Sequence, residues 1–131
     1  MSGTRIANAP CSWGVMKGFA AEAPFPPYEQ VLDEIAAAGY EGTELGDWGY
    51  LPTSAERLRG ELDKRGLTMV GALVPLALAD ESRHEQYAET ALRTARLLAA
   101  CAKGQPGSGP FVILADDNGS DPVRTGFAGR I

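Results

Sequence analysis

The sequence predicts an α/β protein with about four parallel strands and three covering helices. Two observations carry that reading. The runs "LTMVGALVPLAL" (67–78) and "FVILA" (111–115) are apolar at successive positions, as strands are when both faces of a sheet are covered. Between such runs lie segments whose apolar residues recur every three or four positions, the spacing of one helix face. Alternation of this kind builds βαβ units joined by right-handed crossovers.

Each element follows in order. The first strand is read at Arg5–Asn8, and Pro10, which has no backbone donor, ends its ladder. "APFPP" (23–27) leads into a helix from Pro27 to Ala38, with Tyr28, Val31, Leu32 and Ile35 on one stripe and Gly39 to close it. A short second strand covers Gly42–Leu45. Thr53 and Glu56 form a T-x-x-E capping box opening a second helix through Arg65, with Leu58 and Leu62 buried and Gly66 as the stop. The third strand runs from Leu67 up to Pro75. Ser82 and Glu85 form another capping box for a long helix to Lys103, with Ala88, Ala91, Leu92, Ala95, Leu98 and Ala99 inward. The loop "GQPGSGP" (104–110) then delivers the fourth strand, and after Ala115 no apolar periodicity predicts a further covering helix.

Composition narrows the function classes. The 131 residues are 44% hydrophobic and 22% charged, a balance that suits one globular domain and argues against disorder. A net charge of −5 with scattered arginines argues against nucleic acid, whose backbone requires clustered Lys and Arg. No apolar run approaches the roughly 18 residues of a membrane helix, and "MSGTRIANAP" lacks the basic and apolar regions of a secretory leader. The expectation is a cytoplasmic protein in which Cys11 and Cys101 are reduced thiols.

In parallel α/β sheets, ligands bind beyond the carboxyl ends of the strands. Those ends carry Asn8 to Trp13, Glu44 to Trp48, Pro75, and Asp116, Asp117 and Asn118. Trp13 has two readings: an aromatic wall on which the C–H face of a sugar packs, or a core plug at the sheet end. Glu44 either accepts sugar hydroxyls and handles protons from the inward face, or is a surface glutamate on a short strand. Asp-Asp-Asn-Gly is ordinary turn chemistry as much as it is a site. His84 reads as solvated in a helix first turn. The glycines 104, 107 and 109 precede a strand rather than follow one, so they are no phosphate loop, and the Asn118-Gly119-Ser120 sequon is inert in the cytoplasm. Cys11 has no neighbouring His or Lys to mark it as a nucleophile.

"IANAPCSWGV", "GYEGTELGDWGYLP", "RGLTMVGALVPLAL" and "VILADDNGSDPVRT", in that order, resemble the sugar phosphate isomerase/epimerase family, and within it the inosose dehydratase-like branch. The resemblance implies a xylose isomerase-like TIM barrel, (β/α)₈, of which residues 1–131 are the N-terminal half, since a whole barrel takes about 250 residues. It implies a sugar or cyclitol substrate and a divalent metal, Mn²⁺, Co²⁺ or Mg²⁺, that stabilises an enediolate whose fate is isomerisation, epimerisation or dehydration. The family's metal ligands, two Glu, one Asp and one His, belong to later strands, so no metal is expected to bind this chain tightly. The substrate-wall positions that carry over are Asn8, Trp13 and Glu44. A half-barrel exposes sheet edges and an inner apolar face, so self-association is expected. Two other readings stand beside this one: a non-catalytic half-barrel without its metal site, and a small doubly wound sheet of the flavodoxin type, whose phosphate-binding first loop "PCSW" is poorly built to supply.

Overall fold

The computed structural model describes residues 3–16, 24–102, 109–116 and 121–130. Its elements are β1 (Ala7–Asn8), α1 (Tyr28–Ala37), β2 (Gly42–Glu44), α2 (Ala55–Asp63), β3 (Thr68–Leu76), α3 (His84–Cys101), β4 (Phe111–Asp116) and α4 (Pro122–Gly126). The strands form a parallel sheet in the order β1-β2-β3-β4. Each strand therefore joins the edge left by its predecessor. A doubly wound sheet reverses direction at a switch point, and the four strands of the described residues, in the order β1-β2-β3-β4, contain no such reversal.

The helices share one face. Val31, Leu32 and Ile35 of α1, Leu58 and Leu62 of α2, and Leu97, Leu98 and Cys101 of α3 form one buried cluster with Met69 and Ala72 of β3. Gly39 and Gly66 close α1 and α2 at φ of 87° and 67°, a region glycine enters without steric cost. Arg65 ties the two helices together. Its guanidinium donates to Asp33 Oδ1 on α1 and, at 2.8 Å, to Glu61 Oε2 on α2.

Among the described residues no helix covers the opposite, bare face. Side chains alternate across a strand, so Leu73, Phe111 and Ile113 point away from the helices, and they are 50%, 69% and 43% exposed. The apolar runs on both faces are real, but among the described residues only one face has a helix layer.

Several expectations are corrected in detail. The first strand pairs only at Ala7 and Asn8, while Arg5 is held by its side chain, which donates to Glu41 Oε2 at 3.1 Å and Thr68 Oγ1 at 3.2 Å. The N-cap of α2 is Ser54, whose Oγ accepts from the Arg57 N–H, rather than Thr53. Asp80, not Ser82, caps the turn Glu81–Arg83 that leads into α3; Ser82 donates its hydroxyl to Asp80. The buried face of α3 is Tyr87, Thr94, Leu97, Leu98 and Cys101, with Leu92 half exposed. In an alanine-rich helix the few large side chains decide which face is buried, because they carry most of the apolar area. Pro75 lies inside β3 and pairs with Ala115. Gly71 C=O accepts from the Leu45 N–H, so by alternation Leu73 and Pro75 also aim their backbone groups toward β2, which has already ended. A missing donor there breaks no ladder. Finally, a five-residue α4 follows β4, N-capped by Asp121 with Pro122 in its first turn.

Cys11 is exposed and Cys101 buried, and neither is in a disulfide. Among the described residues no helix is long and apolar enough to cross a membrane. Lys103, the glycines 104 and 107, Asp117 and the 118–120 sequon lie outside the described residues.

Candidate functional site

The carboxyl ends of the strands place the three sequence-nominated residues on different sides of the sheet. Asn8 pairs with Thr43, and paired residues of a parallel ladder share a face. Thr43 is fully buried, so Asn8 belongs to the helix side. There its Oδ1 accepts from the Ala9 N–H at 2.8 Å and the Ser12 hydroxyl at 2.6 Å, which fixes the single turn Pro10–Trp13. Trp13 packs its ring against the helix-side core, and its indole N–H donates to Glu34 Oε2 of α1 at 2.5 Å. The hydrogen bonds from Gln30 and Trp13 hold the Glu34 carboxyl below its ordinary value.

Glu44 lies on the other face. Thr43 and Leu45 are both buried toward the helices, so Glu44 between them aims, half-buried, at the bare side. The structure therefore gathers Asn8 and Trp13 into one helix-side loop and separates Glu44 from them. Of the three, Glu44 alone faces the side that a barrel would enclose.

Two of the hollows among the described residues lie along the sheet. One, of about 300 Å³, is lined by Ala7, Gly42, Val70 and Phe111 at the amino ends of the strands, the end away from which α/β proteins bind ligands. The other, of about 460 Å³, opens at the carboxyl ends where β2 stops and its chain swings away from β3. Leu45, Gly46, Asp47 and Trp48 form one wall, Ala72 to Pro75 of β3 the floor, and Thr90, Arg93 and Thr94 of α3 the other wall. The guanidinium of Arg93 lies 4.5 Å from the centre of the Trp48 ring. Thr90 and Thr94 return their hydroxyl hydrogens to carbonyls one turn back, at 3.1 and 3.0 Å, leaving oxygen lone pairs as acceptors. The sequence flagged Trp48 by its place after a strand. Arg93 carried no signal of its own, because it stands 45 positions away on a helix face that reads as solvated.

Asp116, at the end of β4, is already engaged. Arg124 of α4 pairs with it and the Leu78 N–H donates to it at 3.1 Å, and together they hold its carboxyl below the ordinary range. His84 is exposed at the first position of α3, as read, and its Nε2 also contacts the Leu78 carbonyl at 2.8 Å. Among the described residues no three His, Cys, Asp or Glu side chains converge on a point that could hold an ion.

Comparison with protein-family models and with curated proteins finds no match to this sequence.

Proposed function

We propose that the chain forms the first half of a (β/α)₈ barrel of the sugar isomerase/epimerase kind, and that the carboxyl ends of its strands bind a sugar or cyclitol in the cytoplasm. One observation carries the reading: four parallel strands in sequential order, with every main helix on one face and an apolar opposite face headed by Glu44. A strand order that never reverses, with the helices on one side, is the arrangement of a barrel wall. Glu44, on the side a barrel encloses, is the group that accepts substrate hydroxyls or takes a proton next to a carbonyl. Asn8 and Trp13 shape the loop after β1 from the helix side and contribute to the substrate wall through its backbone. In the family the metal polarises the substrate; the residues of this chain bind and orient it.

A second reading, a non-catalytic half-barrel, is favoured by one observation: Asp116, the acidic residue ending β4, is occupied by Arg124 and the Leu78 amide rather than free for chemistry.

The test is an amide-resonance titration of the chain with myo-inositol and with glucose. The expected shifts fall on Glu44 and Leu73 to Pro75, and Glu44→Gln weakens binding about tenfold, the loss expected of one charge-assisted hydrogen bond. Shifts confined to the helix layer, or none, overturn the reading.

A further inference from the structure

The two ends of the sheet are complementary to each other. Among the described residues β1 and β4 each have a strand on one side only, and the whole sheet is parallel. A second copy of the sheet can therefore continue the first without any strand reversing. Half a turn about the axis of a barrel sets β1 of that copy beside β4, and its β4 beside β1. Four strands from each copy then make the eight of a closed wall.

Register decides whether such a ladder can form. Ladder partners run in a row from Glu44 to Gly71 to Phe111, and Asn8 beside Thr43 puts Ala9 at the start of that row. An eight-stranded barrel has a shear of about eight residues, so the row moves about four residues toward the amino end over four strands. Phe111 then falls beside Arg5 of the second copy, Ile113 beside its Ala7, and Leu114 beside its Asn8. The two residues by which β1 already pairs with β2 thus land within the span of β4. The faces agree too. Ala7, which a Cβ on Gly42 would touch, lies on the bare side with Ile113, while Asn8 and Leu114 lie on the helix side. A slip of one residue would mismatch every pair.

The same closure covers the exposed apolar side chains. Ile6 and Leu114, 55% and 52% exposed, stand on the helix side of opposite edges, and this register brings them diagonally together. Inside the barrel, strands tilt by about 36°, so a step across two strands descends about as far as two residues climb. Phe111, in the row of Glu44, therefore lies level with Gly42. Alternate strands fill each interior layer, so one layer holds Phe111 and Gly42 of both copies, large beside small. The hollow of about 300 Å³ lined by Ala7 and Gly42 is the room that the second copy's phenyl ring enters. Half-exposed side chains of this size offer on the order of 100 Å² each. Ile6, Leu73, Phe111, Ile113 and Leu114, with the strand backbone between them, reach the scale of the about 800 Å² that each partner gives a stable interface. We infer that two copies of this chain close into one eight-stranded parallel barrel about a two-fold axis, β4 of each pairing with β1 of the other. This pairing rests on the barrel-wall reading above and names what covers the bare face. It also completes the site, since Glu44 of both copies then heads one chamber.

Sedimentation velocity on the whole chain reads the mass, and a mixture of isotope-labelled and unlabelled chain reads NOE contacts between copies. The expected species is a dimer whose mass stops rising with concentration, because closure leaves no edge to extend. Its contacts between copies run from Ile113 and Leu114 to Ala7 and Asn8. Leu114→Lys and Phe111→Ser, at positions already exposed in one copy, each raise the dissociation constant about tenfold or more and keep the helical circular dichroism. Leu92→Ser, equally exposed but on α3, leaves the dimer unchanged. A chain that stays monomeric, oligomers that grow without limit, or contacts of β4 with β4 overturn the closure and leave the barrel-wall reading to its own sugar titration. A closed dimer in which no sugar moves the Glu44 resonance supports the closure and sinks the ligand reading.

Discussion

Gly42 sits where a methyl group has no room. A Cβ built there meets the Thr68 carbonyl and Val70 Cγ1, each at 2.8 Å, on the bare side of the sheet. The Thr68 carbonyl belongs to the backbone of the adjoining strand and cannot step aside as a side chain would. Gly42→Ala is expected to cost about 1–3 kcal/mol of unfolding free energy, as overpacking does, measured by urea denaturation; an unchanged midpoint would show that β1 and β3 part freely at this point. Trp13 and Glu34 make a second prediction at this scale. The carboxyl of Glu34 is depressed by hydrogen bonds from Gln30 and Trp13, so the stabilisation is present above its ordinary value of 4.5 and is lost as pH falls through the lower folded-state value. The Trp13 indole N–H resonance should therefore titrate with a midpoint below 4.5, and Trp13→Phe should bring the Glu34 midpoint back up; a midpoint at or above 4.5 contradicts the geometry.

Helix caps decide where the elements begin. Ser54 Oγ accepts from the Arg57 N–H at 3.5 Å, a long bond, whereas the side chain of Thr53 makes no cap. Ser54→Ala is thus expected to lower stability by about 0.5 kcal/mol, the low end of the range for a lost N-cap, while Thr53→Ala leaves thermal unfolding unchanged. If Thr53→Ala is the costlier of the two, the capping box read from T-x-x-E is the operative one. This one-residue shift illustrates what was legible. The stripes of α1 and α2 were readable because Val31, Leu32, Ile35, Leu58 and Leu62 are large and regularly spaced. The face of α3 was not, because its alanines give nearly equal weight to several faces until Tyr87 and Leu97 meet the sheet. The Asp121-Pro122 pair, an N-cap followed by a first-turn proline, was the readable signal for α4. The strand face that Glu44 takes was legible from alternation, which needs only its neighbours Thr43 and Leu45. The direction of the Trp13 ring was not, since it depends on Glu34 in a different element, and the Arg93–Trp48 contact joins residues that no local pattern connects.

At the scale of the whole molecule the dominant feature is the apolar face that no helix of the described residues covers. Contiguous exposed apolar side chains mark a surface that is covered in use, and among the described residues β1 and β4 end the sheet with no further strand beside them. The chain is expected to associate with itself as concentration rises, in sedimentation velocity, and Phe111→Ser combined with Ile113→Thr should reduce that association without loss of helical circular dichroism. Association undiminished in the double variant would place the contact elsewhere. The strand order has one more consequence. Because every strand pairs with the one that came before it in the chain, each sheet contact closes a loop only one βα unit long. Loop-closure cost grows with length and rates fall as contacts become more distant in sequence. The polypeptide can thus lay down its architecture in the order in which a ribosome extrudes it, every newly emerged strand finding its dock already built.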